Sequence, residues 1–408
     1  MKLIYNISIH FFAFAAYLIS PFNNKAKKWV KGRKNLINKI KTDFNNADNK
    51  KVIWIHVSSL GEFEQGRPLI EKLKTKEKNI IIVLTFFSPS GYEIRKNYGL
   101  ADYVFYLPND TKKNAKDFLD IINPKIVFFV KYDIWYNYLN EIKKRNIESY
   151  LISAIFRKNQ IYFKSYGKWY ANALKCFNII FVQNKESQEL LQKINIKNSI
   201  IIGDTRFDRV YDIAKKSADN NIVKNFSQNS FTVIAGSTWL PDEEKLLDLL
   251  KTFSNIKLVI APHQIYEQNI NRLKKMFDGF NPVLYSDFKN KGRVLIINNI
   301  GLLSSIYKYA DIVFVGGGFG KGIHNIQEPA AHGKPVIFGP NYKKFLEAKE
   351  LVTMQVCFSI NTSNDLIKIT NKFITNKEYL LQTSNKVLSY VSKNIGSTNK
   401  ILENINIK

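Results

Sequence analysis

Cysteine is nearly absent from this chain of 408 residues, with Cys176 and Cys357 the only two. So few thiols, so far apart in sequence, exclude a disulfide framework and a clustered thiolate zinc site, and a reducing compartment is expected. Arginine is scarce too, nine among 61 basic residues. The formal charge of +27, from 61 basic and 34 acidic side chains, would suit a polyanion partner. Here, however, the excess is lysine, spread along the chain with asparagine and isoleucine as a compositional drift spreads it, and no nucleic-acid partner is expected. There is no Asp-x-Asp element and no spaced set of His, Cys and carboxylates, so no metal or other cofactor is expected. Low-complexity tracts and short repeats are missing as well, and 45% hydrophobic residues exclude a disordered chain. A single core stops growing at roughly 250–300 residues, so two domains are expected.

One long apolar run is present. Leu3 to Phe22, LIYNISIHFFAFAAYLISPF, is about as long as a bilayer-crossing helix, with Asn6, Ser8, His10 and Ser20 as its polar interruptions. Basic residues follow it rather than precede it, which is the reverse of a cleavable signal peptide. Lys25, Lys27, Lys28, Lys31, Arg33, Lys34, Lys39 and Lys41 all come before the first acidic residue, Asp43. Residues 1–24 therefore read as a membrane anchor that either spans the bilayer or lies in its interface. Residues 25–48 read as a basic segment against anionic lipid, with everything beyond held on the cytoplasmic face of the inner membrane.

Beyond residue 50, short β-branched and aromatic runs alternate with amphipathic stretches: 52–57, 80–86, 103–108, 126–131, 149–154 and 178–183. After a polar interval at 211–230 the rhythm restarts at 231–237, 256–262, 294–299, 312–317 and 334–339. These are buried parallel strands of an α/β protein with two doubly wound Rossmann-like halves, 49–212 and 213–408, with the last helix expected to return to the first half. Ligands in such sheets bind beyond the carboxyl ends of the strands, here in the cleft expected between the halves.

Chemistry-bearing residues stand at those ends. Ser58-Ser59-Leu60-Gly61-Glu62 follows the first strand and opens a helix, where a carboxylate serves either as a first-turn acid or as a base; Gly61 would permit a tight turn and close substrate approach. In the second half, Gly236-Ser237-Thr238 follows a strand and precedes a helix, and Gly316-Gly317-Gly318 leads to Asn325 and Glu328-Pro329. Both loops could offer backbone amides to a phosphate, and Glu328 could accept from ribose hydroxyls, but the glycines complete neither a P-loop nor a dinucleotide fingerprint. His324 and His332 read as capping or solvated imidazoles.

Taken in order, SSLGE at 58–62, TFFSPSGYE at 85–93, YLPND at 106–110, KYDIWYN at 131–137, FVQNKES at 181–187, GDTRFD at 203–208, AGSTWLPDEE at 235–244 and HNIQEPAAHGKPVIFGP at 324–340 resemble the Kdo transferases. These are membrane-anchored glycosyltransferases of GT-B architecture that move 3-deoxy-D-manno-octulosonic acid (Kdo) from CMP-Kdo onto a lipid A precursor, lipid IVA, in lipopolysaccharide core biosynthesis. The resemblance implies an inverting transfer with Glu62 as the catalytic base, and CMP held by Ser237, Thr238, Gly316, Gly317, Gly318, Asn325 and Glu328. Gly61, Arg67 and Arg157 are then the candidate acceptor contacts. The chain departs from the family at Lys131-Tyr132-Asp133, where relatives carry Glu-Thr-Glu, and at Pro262-His263, where they carry Pro-Arg. His263 can stand near the donor but lacks a permanent charge and a bidentate fork. It also departs at Ser153 to Arg157, where an Asn-Ala-Arg opening is usual. Two other classes fit the same features: a GT-B enzyme using a UDP-sugar, and a membrane-tethered nucleotide or nucleic-acid binder without activity.

Overall fold

The computed structural model describes residues 2–288 and 292–407. The chain divides into two compact units, one of residues 1–206 with 396–408 and the other of residues 207–395. The crossing falls a little before the expected boundary at 212. Most of the polar interval at 211–230 is helical, in Arg206–Lys216 and Asn221–Ser227.

The first unit carries β1 (Lys51–Val57), β2 (Ile80–Phe86), β3 (Tyr103–Tyr106), β4 (Ile126–Val130), β5 (Glu148–Ala154), β6 (Ile179–Val182) and β7 (Ser199–Ile201). They form one parallel sheet in the order β3-β2-β1-β4-β5-β6-β7. The second unit repeats the plan with β8 (Phe231–Thr238), β9 (Ile256–Pro262), β10 (Pro282–Leu284), β11 (Val294–Ile296), β12 (Ile312–Val315), β13 (Val336–Phe338) and β14 (Cys357–Ser359). Its order is β10-β11-β9-β8-β12-β13-β14. Successive residues of a strand face opposite sides, and both sides are packed. Val52 and Trp54 enter one apolar core and Ile53, Ile55 and Val57 another, just as Ile234 and its neighbours Val233 and Ala235 part in the second sheet.

Three strands lie outside the runs read from the sequence: β7, β10 and β14. All three are three-residue edge strands, paired on one side only. With one neighbour and little buried surface, they need no long apolar run.

The final helix Ser397–Glu403 belongs to the first unit, whereas the preceding helix Lys377–Asn394 belongs to the second. Ile401 and Leu402 complete an apolar core under β1 and β2, and Ser397 Oγ donates to the Ile202 carbonyl at 2.6 Å.

The N-terminal helix Lys2–Ile19 is long and apolar enough to cross a membrane, and no residue of it is fully buried. One face is nonetheless fastened to the first unit. Tyr5 Oη donates to Asp110 Oδ2 at 2.5 Å, Asn137 Nδ2 donates to Asn6 Oδ1 at 2.9 Å, and the Phe12 ring meets Trp29 and Phe87. The opposite face leaves Leu3, Ile4, Ile7, Phe11, Phe14 and Leu18 exposed. Asp110 also accepts the backbone N–H of Asn137 and Tyr138, so its carboxylate is a buried hub for this docking. A hydrogen bond to a charged group contributes about 1.5–3 kcal/mol. Tyr5→Phe should therefore lower stability by about that amount in urea titrations in detergent, read through the fluorescence of Trp169, whose ring lies 6.0 Å from Tyr5.

Arg33 leaves the basic cluster expected from the sequence. Its guanidinium covers the Trp29 ring at 4.2 Å and donates to the carbonyls of Leu107 and Phe87 at 3.1 and 2.8 Å. Burial brings its pKa down to about 9. The surrounding lysines, Lys25, Lys27, Lys28, Lys31, Lys34, Lys39 and Lys41, are exposed.

Candidate active site

In the first unit, Glu62 lies in the first turn of the helix Leu60–Lys76, directly after β1, and its residue is 8% exposed. Ser59 Oγ donates to Glu62 Oε2 at 3.0 Å. The preceding serine holds a second carboxylate: Ser58 donates from its N–H at 2.9 Å and from its hydroxyl at 2.6 Å to Asp133, which stands after β4. Two adjacent serines thus fix two acids. Burial raises the pKa of Glu62, opposed by its serine hydrogen bonds and by the positive charge of Lys131. Asp133 is raised well above the usual carboxylate range, by burial and then by the charge of Glu62. Beneath them, His56 Nδ1 meets Thr85 Oγ1 at 2.8 Å and its Nε2 lies 3.7 Å from Asp133 Oδ2. Full burial, with Arg33 nearby, depresses its pKa to about 3, so this imidazole is neutral.

Glu62 opens on a cavity of about 550 Å³ within this unit. Ser58, Ser59 and Ser88 line its polar end. Phe12, Ala15, Ala16 and Ile19 of the N-terminal helix, with Trp29 and Phe87, make the wall apolar, and Lys25 stands at its edge. A carboxylate at one end of an apolar slot suits the deprotonation of a hydroxyl carried by a lipid.

In the second unit, a cavity of about 500 Å³ is lined by Trp239, Pro241, Asp242 and the loop from Gly317 to His324. Asp242 Oδ2 accepts the N–H of Trp239 and of Gly317, both at 2.9 Å, which ties the loop after β8 to the loop after β12. Thr238 Oγ1 donates to Glu243 Oε1 at 3.0 Å. The rings of Trp239 and His324, which line the cavity, each stack against the His263 ring. Non-glycine residues hold positive φ at the carboxyl ends of three strands, Lys131 (70°) just past β4 and Ser153 (50°) and Ser237 (54°) one residue before the ends of β5 and β8, so backbone strain gathers there.

The family model described as 3-Deoxy-D-manno-octulosonic-acid transferase (kdotransferase) matches residues 31–209. The 3-deoxy-D-manno-octulosonic acid transferase of Aquifex aeolicus is 26% identical over 347 residues, which cover 83% of this chain and 90% of that protein. The Haemophilus influenzae transferase of the same name is 25% identical over 367 residues, 86% of each. Along most of its length the chain is similar to these Kdo transferases. A bifunctional glycosyltransferase/methyltransferase of Fusobacterium nucleatum is 28% identical over 359 residues, 82% of this chain but 54% of its own length, so the chain spans about half of that relative. Among solved structures, UDP-GlcNAc 2-epimerase from Neisseria meningitidis bound to UDP-GlcNAc superposes with a TM-score of 0.62 at 16% identity, covering 86% of this chain and 98% of that one. That likeness concerns the fold, two Rossmann-like units in tandem as in GT-B enzymes.

On this fold, the residues read from the sequence fall into distinct places. Glu62 lines the first cavity and Gly317 the second. Gly317's N–H, expected to meet a phosphate, is taken by Asp242, and the Thr238 hydroxyl is taken by Glu243. Ser237 adopts its strained turn beside Gly316, whose N–H pairs with the Gly236 carbonyl. Gly318 packs backbone to backbone on Gly339. Asn325 Nδ2 donates to Glu328 Oε1 at 3.0 Å, so these two stand together. His324 is neither a cap nor merely solvated, because it lines the cavity, whereas His332 Nε2 meets the Ser304 carbonyl at 2.8 Å.

The acceptor-side readings fare differently. Gly61 is exposed, and a Cβ there would meet only Ser59 Oγ at 3.9 Å, so the turn itself does not demand glycine. Arg67 is engaged by Glu71 at 2.7 Å and Glu64 at 4.0 Å, and Arg157 is exposed; neither lines the cavity of Glu62. Asp133, His56 and Trp239 are site residues that the sequence did not single out. The acid in Lys131-Tyr132-Asp133, just past a buried strand, was the available signal for the first.

Proposed function

We propose that this glycosyltransferase moves Kdo from CMP-Kdo to a hydroxyl of a lipid A precursor, lipid IVA, with inversion at the anomeric carbon and Glu62 as general base. The observation that carries the reading is the cavity shared by the Glu62 carboxylate and the apolar N-terminal helix. The acyl chains lie along Phe12, Ala15, Ala16 and Ile19, Lys25 meets an acceptor phosphate, and the sugar hydroxyl reaches Glu62. As the new C–O bond forms at the anomeric carbon, the hydroxyl proton passes to Glu62. The bond from that carbon to the phosphate oxygen breaks, and CMP leaves with the electron pair. The step as written uses no divalent ion.

A carboxylate made more basic by burial is a better proton acceptor than an exposed one, provided it is ionised at working pH. The Lys131 charge opposes the effect of burial and favours the ionised form. Lys131→Met should therefore raise the Glu62 pKa and move the acidic limb of kcat/KM to higher pH, measured from pH 4.5 to 9 with rate normalised to folded enzyme. An unmoved limb would remove Lys131 from the account.

The protein works on the cytoplasmic face of the inner membrane. With Tyr5, Asn6 and Phe12 fastened to the first unit, the N-terminal helix lies in the lipid interface, presenting its exposed apolar face to the acyl boundary and the lysines after residue 24 to anionic headgroups. The deciding assay follows the mass of a tetra-acylated, bisphosphorylated acceptor incubated with CMP-Kdo. Each addition appears as one Kdo increment, which also counts the units transferred. CMP, but not UDP, should inhibit; a preference for UDP would transfer the enzyme to another donor class.

A further inference from the structure

The first unit holds another cavity, of about 620 Å³, between the N-terminal helix and the start of the helix Lys112–Ile122. None of its lining residues lines the Glu62 cavity. Asn6 and His10 come from the N-terminal helix, four residues apart and so on one face. Thr111, Lys112 and Lys113, with Asn109 of the preceding loop, make the other wall.

The two lysines are ill placed for the helix they open. The free N–H groups at a helix start carry about half a positive charge, so acids favour the first turn and cations do not. This first turn has no acid. Nor does the protein answer the charge from elsewhere. Asp120 of the same helix pairs with Arg145 at 2.8 Å, and Asp110 spends its oxygens on Tyr5 and on the N–H groups of Asn137 and Tyr138. Among the described residues no ion pair reaches Lys112 or Lys113, and Asp117, a turn later, forms none. An anion in the cavity would relieve both costs.

The place of the cavity says which anion. A helix lying in the lipid interface buries its apolar face and holds its flanks at headgroup depth. His10 stands on such a flank. Ile7 and Phe14, three residues before it and four after, are exposed on the same side, whereas Asn6 is half-buried against Asn137. His10 and Ile19, which lines the Glu62 cavity, are about two and a half turns apart and point to opposite sides of the helix. The two cavities therefore flank the helix on opposite sides.

We infer that this cavity is a headgroup site for an anionic phospholipid of the bilayer: Lys112 and Lys113 meet its phosphate oxygens, His10 donates a ring N–H, and its acyl chains run along Ile7 and Phe14. The inference rests on the interfacial placement of the helix proposed above and adds to it a bound lipid that is not the acceptor.

Titration of the full chain in neutral detergent with short-chain phosphatidylglycerol, read by native mass spectrometry, tests it. Wild type should retain one such lipid, about tenfold or more tightly than phosphatidylcholine of the same chain length, whose net charge is zero. Lys112→Gln combined with Lys113→Gln should weaken retention by about 25-fold, about fivefold for each lysine beside an anionic headgroup. Thermal melting should be unchanged or raised, because the first turn loses two ill-placed cations. The same exchange at Lys215 and Lys216, an exposed adjacent pair of the second unit, should leave the lipid bound. Retention at wild-type strength in the first double variant, or an equal loss in the second, would overturn the inference. Displacement of the lipid by the tetra-acylated acceptor would overturn it too, making the cavity an acceptor subsite, as would displacement by inorganic phosphate at matched concentration, making it a site for the free anion. Failure of wild type to float with phosphatidylglycerol vesicles would remove the interfacial placement and the inference with it. Kdo transfer on the same preparations reports separately: if wild type transfers none, the proposed reaction falls while the lipid count still supports the headgroup site.

Discussion

Glu62→Gln should lower kcat by about 10²–10⁴-fold, the usual contribution of a positioned base, with CMP affinity and thermal stability close to wild type. The amide keeps an oxygen to accept from Ser59 Oγ, the hydrogen bond that holds the carboxylate at 3.0 Å. It removes only the capacity to take a proton. The competing account makes Glu62 a first-turn acid that complements the helix dipole. On that account the amide would lower the melting temperature and spare turnover. Measuring both quantities on one preparation separates the two, and a variant with full turnover would end the role of Glu62 as base.

Gly316→Ala should be the most damaging single methyl group on the donor side. A Cβ at that position would fall 2.4 Å from the Ser237 carbonyl oxygen, 2.7 Å from Thr238 Cα and 2.9 Å from Asp242 Oδ2. Two of those are backbone atoms of the strained turn after β8, with no rotamer to escape into. Overpacking of this kind costs about 1–3 kcal/mol. The displacement falls on the carboxylate that joins the two donor-side loops. Since about 1.4 kcal/mol is tenfold in affinity, CMP binding should weaken by about 5- to 150-fold by calorimetry when that cost falls on the loop pair. Gly279→Ala, where nothing lies within 4 Å of the added carbon, is the matched control and should bind as wild type does. Unchanged CMP affinity in Gly316→Ala would place the nucleotide away from this loop pair.

The central strands were legible because each is a short β-branched run buried on both faces, a pattern few other structures produce. The edge strands β7, β10 and β14 were not, since half their environment is solvent and the pattern dissolves. At the site, Glu62 and the glycine-rich loop could be read from position alone, as small or acidic residues immediately past buried strands. The pairing of Asp133 with Ser58 could not, because only the sheet order β1-β4 brings them together, and His56 reads as one more strand residue until β2 and β4 bring Thr85 and Asp133 to its ring. The stack of Trp239, His263 and His324 is assembled from three loops some 25 to 60 residues apart, so no local motif announces it. Arg33 misled for a related reason. Charge is visible in a sequence, but the carbonyls that occupy it are not.

The last helix has a consequence for biosynthesis. Ile401 and Leu402 seal an apolar core whose other members were made some two hundred residues or more before them. While the ribosome is building the second unit, the underside of the first sheet lacks its closing piece. Until then the nascent protein carries an unsealed greasy seam as well as an apolar N-terminal helix, the form in which a membrane surface would hold it most strongly.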